Sequence, residues 1–382
     1  MKISGALVYT KDHIFEEKDI FTKDQRISET SGDETELDAK GLLAIPGLVD
    51  IHFHGAVGHD FCDGDKKGLE EIAEYEAQNG VLAICPATMT FPEEVLSNVA
   101  LNAKSYKERI ESDRTTPDNI KRADLVGINM EGPFISPDKI GAQNPDYLQL
   151  PDIDMFRRLQ EKSGDLFKLV DIAPELQGSM EFIKEHSSDV KISLAHTCSD
   201  YDTAIKAFQN GAGHMTHLFN AMPGLNHRNP GPIAAAIECK AEAELIADGI
   251  HVHPAMVRFA FNAFPEDKMI LISDSMEATG LPDGEYQLGG QKVTVIGNKA
   301  VLTDKPDVIA GSVTNLFDCM KNAVKNMGIS LETAVRAASE NPAKSIGIDA
   351  DYGSIEVGKY ANLILMDKDY NIKHIVNRGQ LL

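Results

Sequence analysis

The sequence predicts an α/β protein, and two patterns support this class. From about residue 47 onward, short apolar runs alternate with longer amphipathic segments, which is typical of strand–helix units around a parallel sheet. Eight such runs can be counted, which is the number of strands in a (β/α)8 TIM-like barrel. An open doubly wound sheet is the alternative, but the glycine-rich phosphate fingerprint that accompanies it is missing from the sequence.

Most of the eight predicted strands are continuous apolar runs, as expected for parallel strands that are buried on both faces. They are Leu48–Phe53, Val81–Ala87, Leu125–Met130, Phe167–Ala173, Val190–Ala195, Ala212–Thr216, Ala243–Ala247 and Met269–Ser273. The sixth run is polar and rich in glycine, so only its place in the repeat suggests a strand. Helices are predicted between the runs, with Pro92 in the first turn of one helix and Asp200 capping another.

Two further segments follow the eighth strand. Gly289-Gly290 and Gly297-Asn298 flank Lys292–Ile296 and indicate a hairpin within an insertion over roughly 279–312. Helices are then predicted over Asn315–Asn326 and Leu331–Ile346.

Both ends of the chain have strand character. Ile3 to Tyr9 reads as a strand, and the tail contains the apolar run Ala361–Met366 and the alternating segment Ile372–Val376. We therefore predict a small β-sandwich domain formed by both chain termini, with the barrel inserted between them. The predicted bounds are 1–47 and 350–382 for the sandwich and 48–349 for the barrel.

Composition excludes several classes of partner. The 382 residues include 59 acidic and 37 basic side chains, which gives a net charge of −22. Nucleic acids and anionic membranes are bound by basic surfaces, so neither is expected as a partner. Five cysteines without a CxxC pair argue against a disulfide framework and a thiolate zinc site. The sequence has no secretory signal and no apolar run of about 18 residues, so we expect a cytoplasmic location.

Side chains that bind metals follow several of the predicted strands, at the ends that meet at the mouth of a barrel. They are His52 and His54 after the first strand, Glu131 after the third, His196 after the fifth, His217 after the sixth, His251 after the seventh and Asp274 after the eighth. A single histidine or aspartate in such a place is more often a structural hydrogen-bonding residue, but the joint occurrence favours a metal site.

The residue types narrow the choice of metal. Imidazole and carboxylate ligands without a thiolate suit Zn, Fe, Mn, Co or Ni. His52 and His54 point to the same side of a strand, and Glu131 has two oxygens that could bridge two ions. Such a pair would activate a shared water and polarise a substrate oxygen. Asp274 is the best candidate for the catalytic base, with a role as a further ligand as the alternative.

The motifs at these strand ends resemble those of the amidohydrolase superfamily. They are PGLVDIHFHG at 46–55, EGPF at 131–134, LAHT at 194–197, THLFNAM at 216–222, DGIH at 248–251 and SDSMEATG at 273–280. Within that superfamily, the set THLFNAM, EGPF and DGIH is similar to enzymes that deacetylate amino-sugar phosphates. The resemblance covers nearly the whole chain, and it implies a TIM-like barrel with a small β-sandwich from both termini.

The resemblance also implies an activity: hydrolysis of the acetamide of N-acetyl-D-glucosamine 6-phosphate to D-glucosamine 6-phosphate and acetate. The metal would be held by His52, His54, Glu131, His196 and His217 as one or two divalent ions, and Asp274 would act as general base and acid. The HxH pair favours two ions, because some relatives that lack it use one.

For substrate binding, the resemblance implies that Asn220, the Ala221 backbone and Arg228 hold the phosphate. Arg228 would come from the neighbouring subunit of a homodimer. His251 would contact the sugar, and Gln143 stands where some single-metal relatives have a histidine. The alternatives are a deacetylase of N-acetylgalactosamine 6-phosphate, an amidohydrolase acting on a cyclic amide, or a metal-free homologue that only binds a partner.

Overall fold

The structure of the chain is a computed structural model that describes residues 1–114 and 116–382, and it is a mixed α/β fold. Its strands are β1 Lys2–Tyr9, β2 Phe15–Lys23, β3 Arg26–Ser28, β4 Glu36–Asp38, β5 Leu43–Pro46, β6 Leu48–Asp50, β7 Gly55–Ala56, β8 His59–Asp60, β9 Val81–Ile84, β10 Asp124–Leu125, β11 Ile128–Met130, β12 Phe167–Ile172, β13 Lys191–Leu194, β14 His214–Met215, β15 Glu242–Ile246, β16 Met269–Ile272, β17 Gly284–Leu288, β18 Gln291–Ile296, β19 Lys299–Leu302, β20 Lys305–Ile309, β21 Leu363–Met366, β22 Ile372–Asn377 and β23 Gln380–Leu381.

The helices lie mostly between the parallel strands, as the sequence predicts. They are α1 Lys66–Gln78, α2 Glu93–Ser112, α3 Pro117–Ile120, α4 Ile153–Ser163, α5 Ser179–His186, α6 Tyr201–Gln209, α7 Gly231–Cys239, α8 Pro254–Ala263, α9 Leu316–Met327, α10 Leu331–Ala338 and α11 Glu340–Ser345. Among the described residues, no helix is both long and apolar enough to cross a membrane. All five cysteines are free thiols.

The parallel strands form two sheets that curl around a common core. One sheet has the order β10-β9-β6, and the other runs from β11 to β16 in sequence order. An isolated parallel bridge between Ala87 and Asn129 connects them. At the other edge, the Asp274 amide donates to the His52 carbonyl (3.0 Å) and the His54 amide donates to the Ser275 carbonyl (2.7 Å). The residues that follow the first and last parallel strands are therefore hydrogen-bonded neighbours.

Each of the eight predicted apolar runs contains parallel strand, but the third run is interrupted. β10 pairs with β9, whereas β11 pairs with β12. The chain passes from one neighbour to the other at Val126 and Gly127, where the Val126 amide still donates to the Ile84 carbonyl (2.9 Å). The continuous run in the sequence therefore hides a change of partner.

Strands from both chain ends share one further sheet. Its order is β23-β22-β21-β5-β1-β2-β3, with β4 paired to β1. β21 from the C-terminal segment lies antiparallel to β5, with Leu363 opposite Pro46 and Ile364 opposite Ile45. The buried face of this sheet includes Ile3, Ala44 and Leu363, each fully buried. Strands from the two chain ends therefore lie in one sheet.

The insertion after β16 is larger than the single hairpin that the sequence predicts. β17, β18, β19 and β20 form a four-stranded antiparallel sheet in sequence order. Only β18 has the apolar alternation that stands out in the sequence, whereas β20 begins with Lys305 and contains Asp307. This inserted sheet stands beside the carboxyl ends of the parallel strands, where β20 lines the cavity described below.

Candidate active site

The carboxyl ends of the parallel strands surround a cavity of about 560 Å³. Most of the site residues predicted from the sequence line it: His54, Glu131, Gln143, His196, His217, Asn220, Ala221, His251 and Asp274. His52 is fully buried beside it. Arg228 does not line this cavity in the described part of the chain and lies instead on an exposed segment, where its amide donates to Asn226 Oδ1 (3.0 Å).

The Glu131 carboxylate stands at the centre of the site. Its Oε1 lies 3.1 Å from His196 Nε2 and 3.1 Å from His217 Nε2. His52 Nε2 is 3.5 Å from the same oxygen, and His54 Nε2 is 3.4 Å from Oε2. One carboxylate therefore faces four imidazole nitrogens. These residues make two groups that could each hold a metal ion, His52, His54 and Glu131 in one and Glu131, His196 and His217 in the other.

The chemistry of these donors fits a divalent cation. His52 Nε2 is buried and has no hydrogen-bond partner among the residues that the structure describes. The Nε2 atoms of His196 and His217 face each other at 3.1 Å, where at most one neutral ring can donate to the other. Burial raises the pKa of Glu131, but the contacts with His196, His217 and His52 outweigh it and hold that pKa well below its ordinary value. An ionised carboxylate among converging imidazole nitrogens suits an ion of the kind the sequence predicts.

Outer partners orient the histidine rings so that their Nε2 atoms face Glu131. Glu244 Oε2 lies 2.9 Å from His52 Nδ1 and also accepts a hydrogen bond from the His217 amide (3.2 Å). His196 Nδ1 lies 2.7 Å from the Lys139 carbonyl oxygen. Contacts of this kind set the tautomer and orientation of metal-binding histidines.

Asp274 lies beside this cluster at the mouth. Its Oδ1 is 3.3 Å from His54 Nε2 and 3.9 Å from His52 Nε2. Burial raises the pKa of Asp274, but the contact with His54 and the nearby His52 and His217 outweigh burial and lower that pKa below its ordinary value. The carboxyl is therefore ionised at neutral pH. An ionised carboxylate here can accept a proton from a water molecule in the cavity.

Three of the residues that follow strands have left-handed backbone conformations. The φ angles are 42° at His196, 25° at His217 and 51° at Asp274. Non-glycine residues adopt such angles at a cost of about 1–3 kcal/mol and do so most often at functional sites. These conformations are maintained by neighbours such as Ser312, whose amide donates to the Asp274 carbonyl (2.7 Å).

The residues predicted to contact the substrate lie around the rest of the cavity. His251 Nδ1 is 2.7 Å from Asp248 Oδ2, and the His251 amide donates to Asp248 Oδ1 (2.9 Å). Asn220 Nδ2 donates to the carbonyls of His217 (3.2 Å) and Leu218 (3.3 Å). Gln143 lines the cavity and also donates a side-chain hydrogen bond to Glu131.

Sequence reasoning missed several residues of this site. Glu244 lies in the middle of β15 and was hidden within an apolar run. The signal that could have found it is a carboxylate inside a predicted buried strand, since such a group needs a buried partner. Lys139 also lines the cavity from the short 3₁₀ helix Pro137–Lys139, and Lys305 and Asp307 line it from the inserted sheet.

Comparisons with known proteins agree with this geometry. Residues 43–382 match the Amidohydrolase family. The N-acetylglucosamine-6-phosphate deacetylase of Bacillus subtilis (strain 168) is 36% identical, over 94% of this chain and 88% of the relative. The N-acetylgalactosamine-6-phosphate deacetylase of Escherichia coli O157:H7 is 33% identical, over 91% of this chain and 89% of the relative.

The chain is also similar to solved structures of deacetylases. The N-acetylglucosamine-6-phosphate deacetylase from Pasteurella multocida has a TM-score of 0.90 and 26% identity, covering 100% of this chain and 99% of that one. A mutant of the Mycobacterium smegmatis enzyme in complex with N-acetyl-D-glucosamine-6-phosphate has a TM-score of 0.89 and 26% identity, covering 100% of this chain and 98% of that one. The chain therefore belongs to the amidohydrolase family.

Proposed function

We propose that the chain hydrolyses the acetamide of N-acetyl-D-glucosamine 6-phosphate, giving D-glucosamine 6-phosphate and acetate in amino-sugar catabolism. One observation carries the proposal: a carboxylate shared among four imidazole nitrogens lies next to an ionised aspartate, Asp274, at the mouth of a cavity. The deacetylases to which the chain is similar support the choice of substrate.

The proposed metal site uses His52, His54, Glu131, His196 and His217, which would hold one or two divalent ions among Zn, Fe, Mn, Co and Ni. A bound divalent ion supplies Lewis acidity, which lowers the pKa of water and polarises a carbonyl oxygen.

Proton transfer is the proposed role of Asp274. Its carboxylate accepts a proton from the water whose oxygen attacks the acetyl carbonyl carbon. It then donates that proton to the sugar nitrogen as the carbon–nitrogen bond breaks. This protonation is needed because an amide anion is a poor leaving group, so the same side chain serves as base and then as acid.

Substrate binding is proposed for His251, Asn220, the Ala221 backbone and Gln143, which line the cavity. Arg228 is proposed to reach the phosphate of a neighbouring subunit in a homodimer. Arginine suits this task because its planar guanidinium pairs with phosphate through two hydrogen bonds.

The finer architecture is also a proposal. We propose that the parallel strands close into a (β/α)8 barrel over 48–349, supported by the hydrogen bond between Asp274 and His52 at the two sheet edges. The terminal strands would form a small β-sandwich domain of 1–47 and 350–382, supported by the pairing of β21 with β5. The cytoplasmic location stays a prediction of the sequence.

A second candidate substrate is N-acetylgalactosamine 6-phosphate, because a relative named for that activity is 33% identical to this chain. Acetate release measured over a panel of N-acetylglucosamine 6-phosphate, N-acetylgalactosamine 6-phosphate and unphosphorylated N-acetylglucosamine separates the two. We expect the highest kcat/KM for the first. A higher value for the second would reverse the assignment.

Metal removal tests the alternative of a metal-free binding protein. We expect chelation to abolish acetate release, because it removes the Lewis acid that lowers the pKa of the water and polarises the carbonyl. Adding a divalent ion should restore the activity. Elemental analysis of the purified protein should find bound metal. A protein without metal, and without activity after metal is added, would contradict the proposal.

A further inference from the structure

We propose that Gln143 is a positioning residue that orients the Glu131 carboxylate for metal binding, and that the inserted sheet supports it through Gln291. The proposal rests on the proposed metal site. It concerns a role different from the substrate contact that the sequence suggests for Gln143.

The side chain of Gln143 is held between two fixed groups. Its Oε1 accepts a hydrogen bond from the Thr90 amide (2.7 Å), and its Nε2 donates to Glu131 Oε2. The Thr90 amide can only donate, so it selects the amide orientation that places the NH2 group against the carboxylate. Gln143 is 2% exposed, which leaves its side chain little freedom to turn away.

The hydrogen bond to Glu131 determines which way the carboxylate faces. With Oε2 held by Gln143, Oε1 is directed at His196 and His217, each 3.1 Å away. A carboxylate on its own rotates about its last bond, so a donor on one oxygen restricts the orientation of the other. Gln143 thus orients the Glu131 carboxylate, as Glu244 orients the His52 ring.

The backbone around this contact is closely packed. Gly132 follows Glu131 with φ of 81°, and a Cβ atom there would come within 2.2 Å of Thr90 Oγ1. The glycine therefore allows the Thr90 segment to approach Glu131, which brings the Thr90 amide within reach of Gln143.

The inserted sheet holds Gln143 from the opposite side. Gln291, the first residue of β18, donates through Nε2 to the carbonyls of Gln143 (2.9 Å) and Ala142 (3.1 Å). These bonds link the insertion to the loop that carries Gln143. A chain of hydrogen bonds therefore runs from Gln291 through the backbone and side chain of Gln143 to Glu131.

The test measures Co²⁺ binding without any sugar. Gln143→Met keeps the length of the side chain but removes the donor, so we expect the dissociation constant for Co²⁺, measured by competition with a chelator, to rise about 10–100-fold. The visible absorption of bound Co²⁺ should change as well, and kcat should fall more than KM rises. Gln291→Ala should weaken Co²⁺ binding in the same direction but less.

The matched control is Gln287→Ala, a glutamine that lies exposed on β17 of the same sheet, and it should bind Co²⁺ like the wild type. Thermal unfolding of the metal-free proteins shows whether each variant folds. If Gln143→Met does not fold, the test rests on the Co²⁺ dissociation constants of Gln291→Ala and Gln287→Ala. Weaker binding in Gln291→Ala alone would support the proposal, and equal binding in both variants would overturn it.

Unchanged Co²⁺ affinity and absorption in a folded Gln143→Met protein would overturn the proposal, and a rise in KM alone would leave Gln143 with the proposed substrate contact only. Because no sugar is present in the binding measurement, its result stands even if the chain turns over none of the acetylated sugars.

Discussion

Asp274 is the residue on which the proposed chemistry depends most directly. Replacing it with asparagine keeps the size of the side chain but removes the group that accepts and returns the proton. We expect Asp274→Asn to lower kcat about 10²–10⁴-fold, the range typical of lost general acid–base catalysis. Bound metal, measured by elemental analysis, and KM should change little. A kcat near that of the wild type would remove Asp274 from its proposed role.

His251 and Asp248 form a pair whose charge state depends on pH. Burial lowers the pKa of His251, but the hydrogen bond and the charge of Asp248 outweigh it and raise that pKa above its ordinary value. In Asp248→Asn only the weaker influence of Asp274 would oppose burial, so the pKa of His251 should fall. The proposed contact of His251 with the anionic substrate is strongest when the ring is charged, so we expect KM for the phosphorylated sugar to be higher near neutral pH in the variant.

The sign of this effect can be followed in a pH profile. In the wild type, the contribution of the pair to stability is complete below the ordinary histidine pKa of about 6.5 and is lost as the pH rises through the raised pKa of His251. On the acid side it is present above the ordinary aspartate pKa and is lost as the pH falls through the lowered pKa of Asp248. When KM is measured from about pH 6 to 9, it should increase as His251 loses its proton. This increase should begin at a lower pH in Asp248→Asn than in the wild type. Superimposable profiles would contradict this.

At the residue scale, the sequence predicts those site residues that directly follow a predicted strand. His52, Glu131 and Asp274 follow strands, and the ends of parallel strands meet in space. Glu244 could not be recognised in this way, because it lies within β15 and its partner His52 is 192 residues away in the chain. Contacts of such long range are set by the register between strands, which a single sequence does not reveal.

At the scale of elements, the existence of the parallel strands was predictable and their lengths were not. The first predicted strand extends to Phe53, whereas β6 ends at Asp50, so the two histidines of the HxH pair lie beyond the regular strand. Both nevertheless face Glu131, as the prediction of a shared side requires. The sixth run yields only the two residues of β14, which agrees with its polar composition.

The helix predicted over Leu331–Ile346 is two helices, α10 and α11. The break falls at Ser339, where φ is −135° and ψ is −70°. Pro342 lies three residues later, and a proline inside a helix removes one hydrogen bond and clashes with the carbonyl four residues earlier, here that of Ala338. The apolar periodicity continues through this point, so the pattern alone predicts one helix.

The start of α6 offers a test at this scale. Asp200 caps the helix, and its Oδ1 accepts a hydrogen bond from the Thr203 amide (2.8 Å). We expect Asp200→Ala to lower the free energy of unfolding by about 1 kcal/mol, as for other lost N-caps, with kcat unchanged. Calorimetry of the two proteins measures the difference. Asp202→Ala, an exposed carboxylate in the same first turn, is the matched control, and an equal loss there would argue against capping.

At the scale of the whole molecule, the net charge of −22 and the proposed anionic substrate have to be reconciled. The acidic stretch 16–38 belongs to the terminal sheet, through β2, β3 and β4, and does not line the cavity. Lys139, Lys305 and His251 do line it, together with the carboxylates Glu131, Asp138, Asp274 and Asp307, whose charge a bound divalent ion would offset in part. The charge therefore argues against a broad basic surface without excluding a small phosphorylated ligand.

Arg228 is the basic residue whose proposed role depends on a dimer. It does not line the cavity of its own chain within the described residues, so the proposed contact with the phosphate would be made by Arg228 of a second copy. We expect Arg228→Ala to raise KM for the phosphorylated sugar about 10–100-fold, from the 1.5–3 kcal/mol typical of a hydrogen bond to a charged group. KM for the unphosphorylated sugar should change little. An equal effect on both substrates would remove the phosphate role.

Complementation tests whether that arginine acts across subunits. In a dimer of one Arg228→Ala chain and one Asp274→Asn chain, the first chain keeps Asp274 and receives Arg228 from its neighbour, so one of the two sites is intact. Random pairing after co-expression should therefore restore about a quarter of the wild-type activity at low substrate concentration, although each variant alone is nearly inactive. If Arg228 served its own chain, every site would lack one of the two groups, and co-expression would restore nothing. Recovery would support the dimer and the shared site together, whereas no recovery in a dimeric sample would contradict the sharing alone.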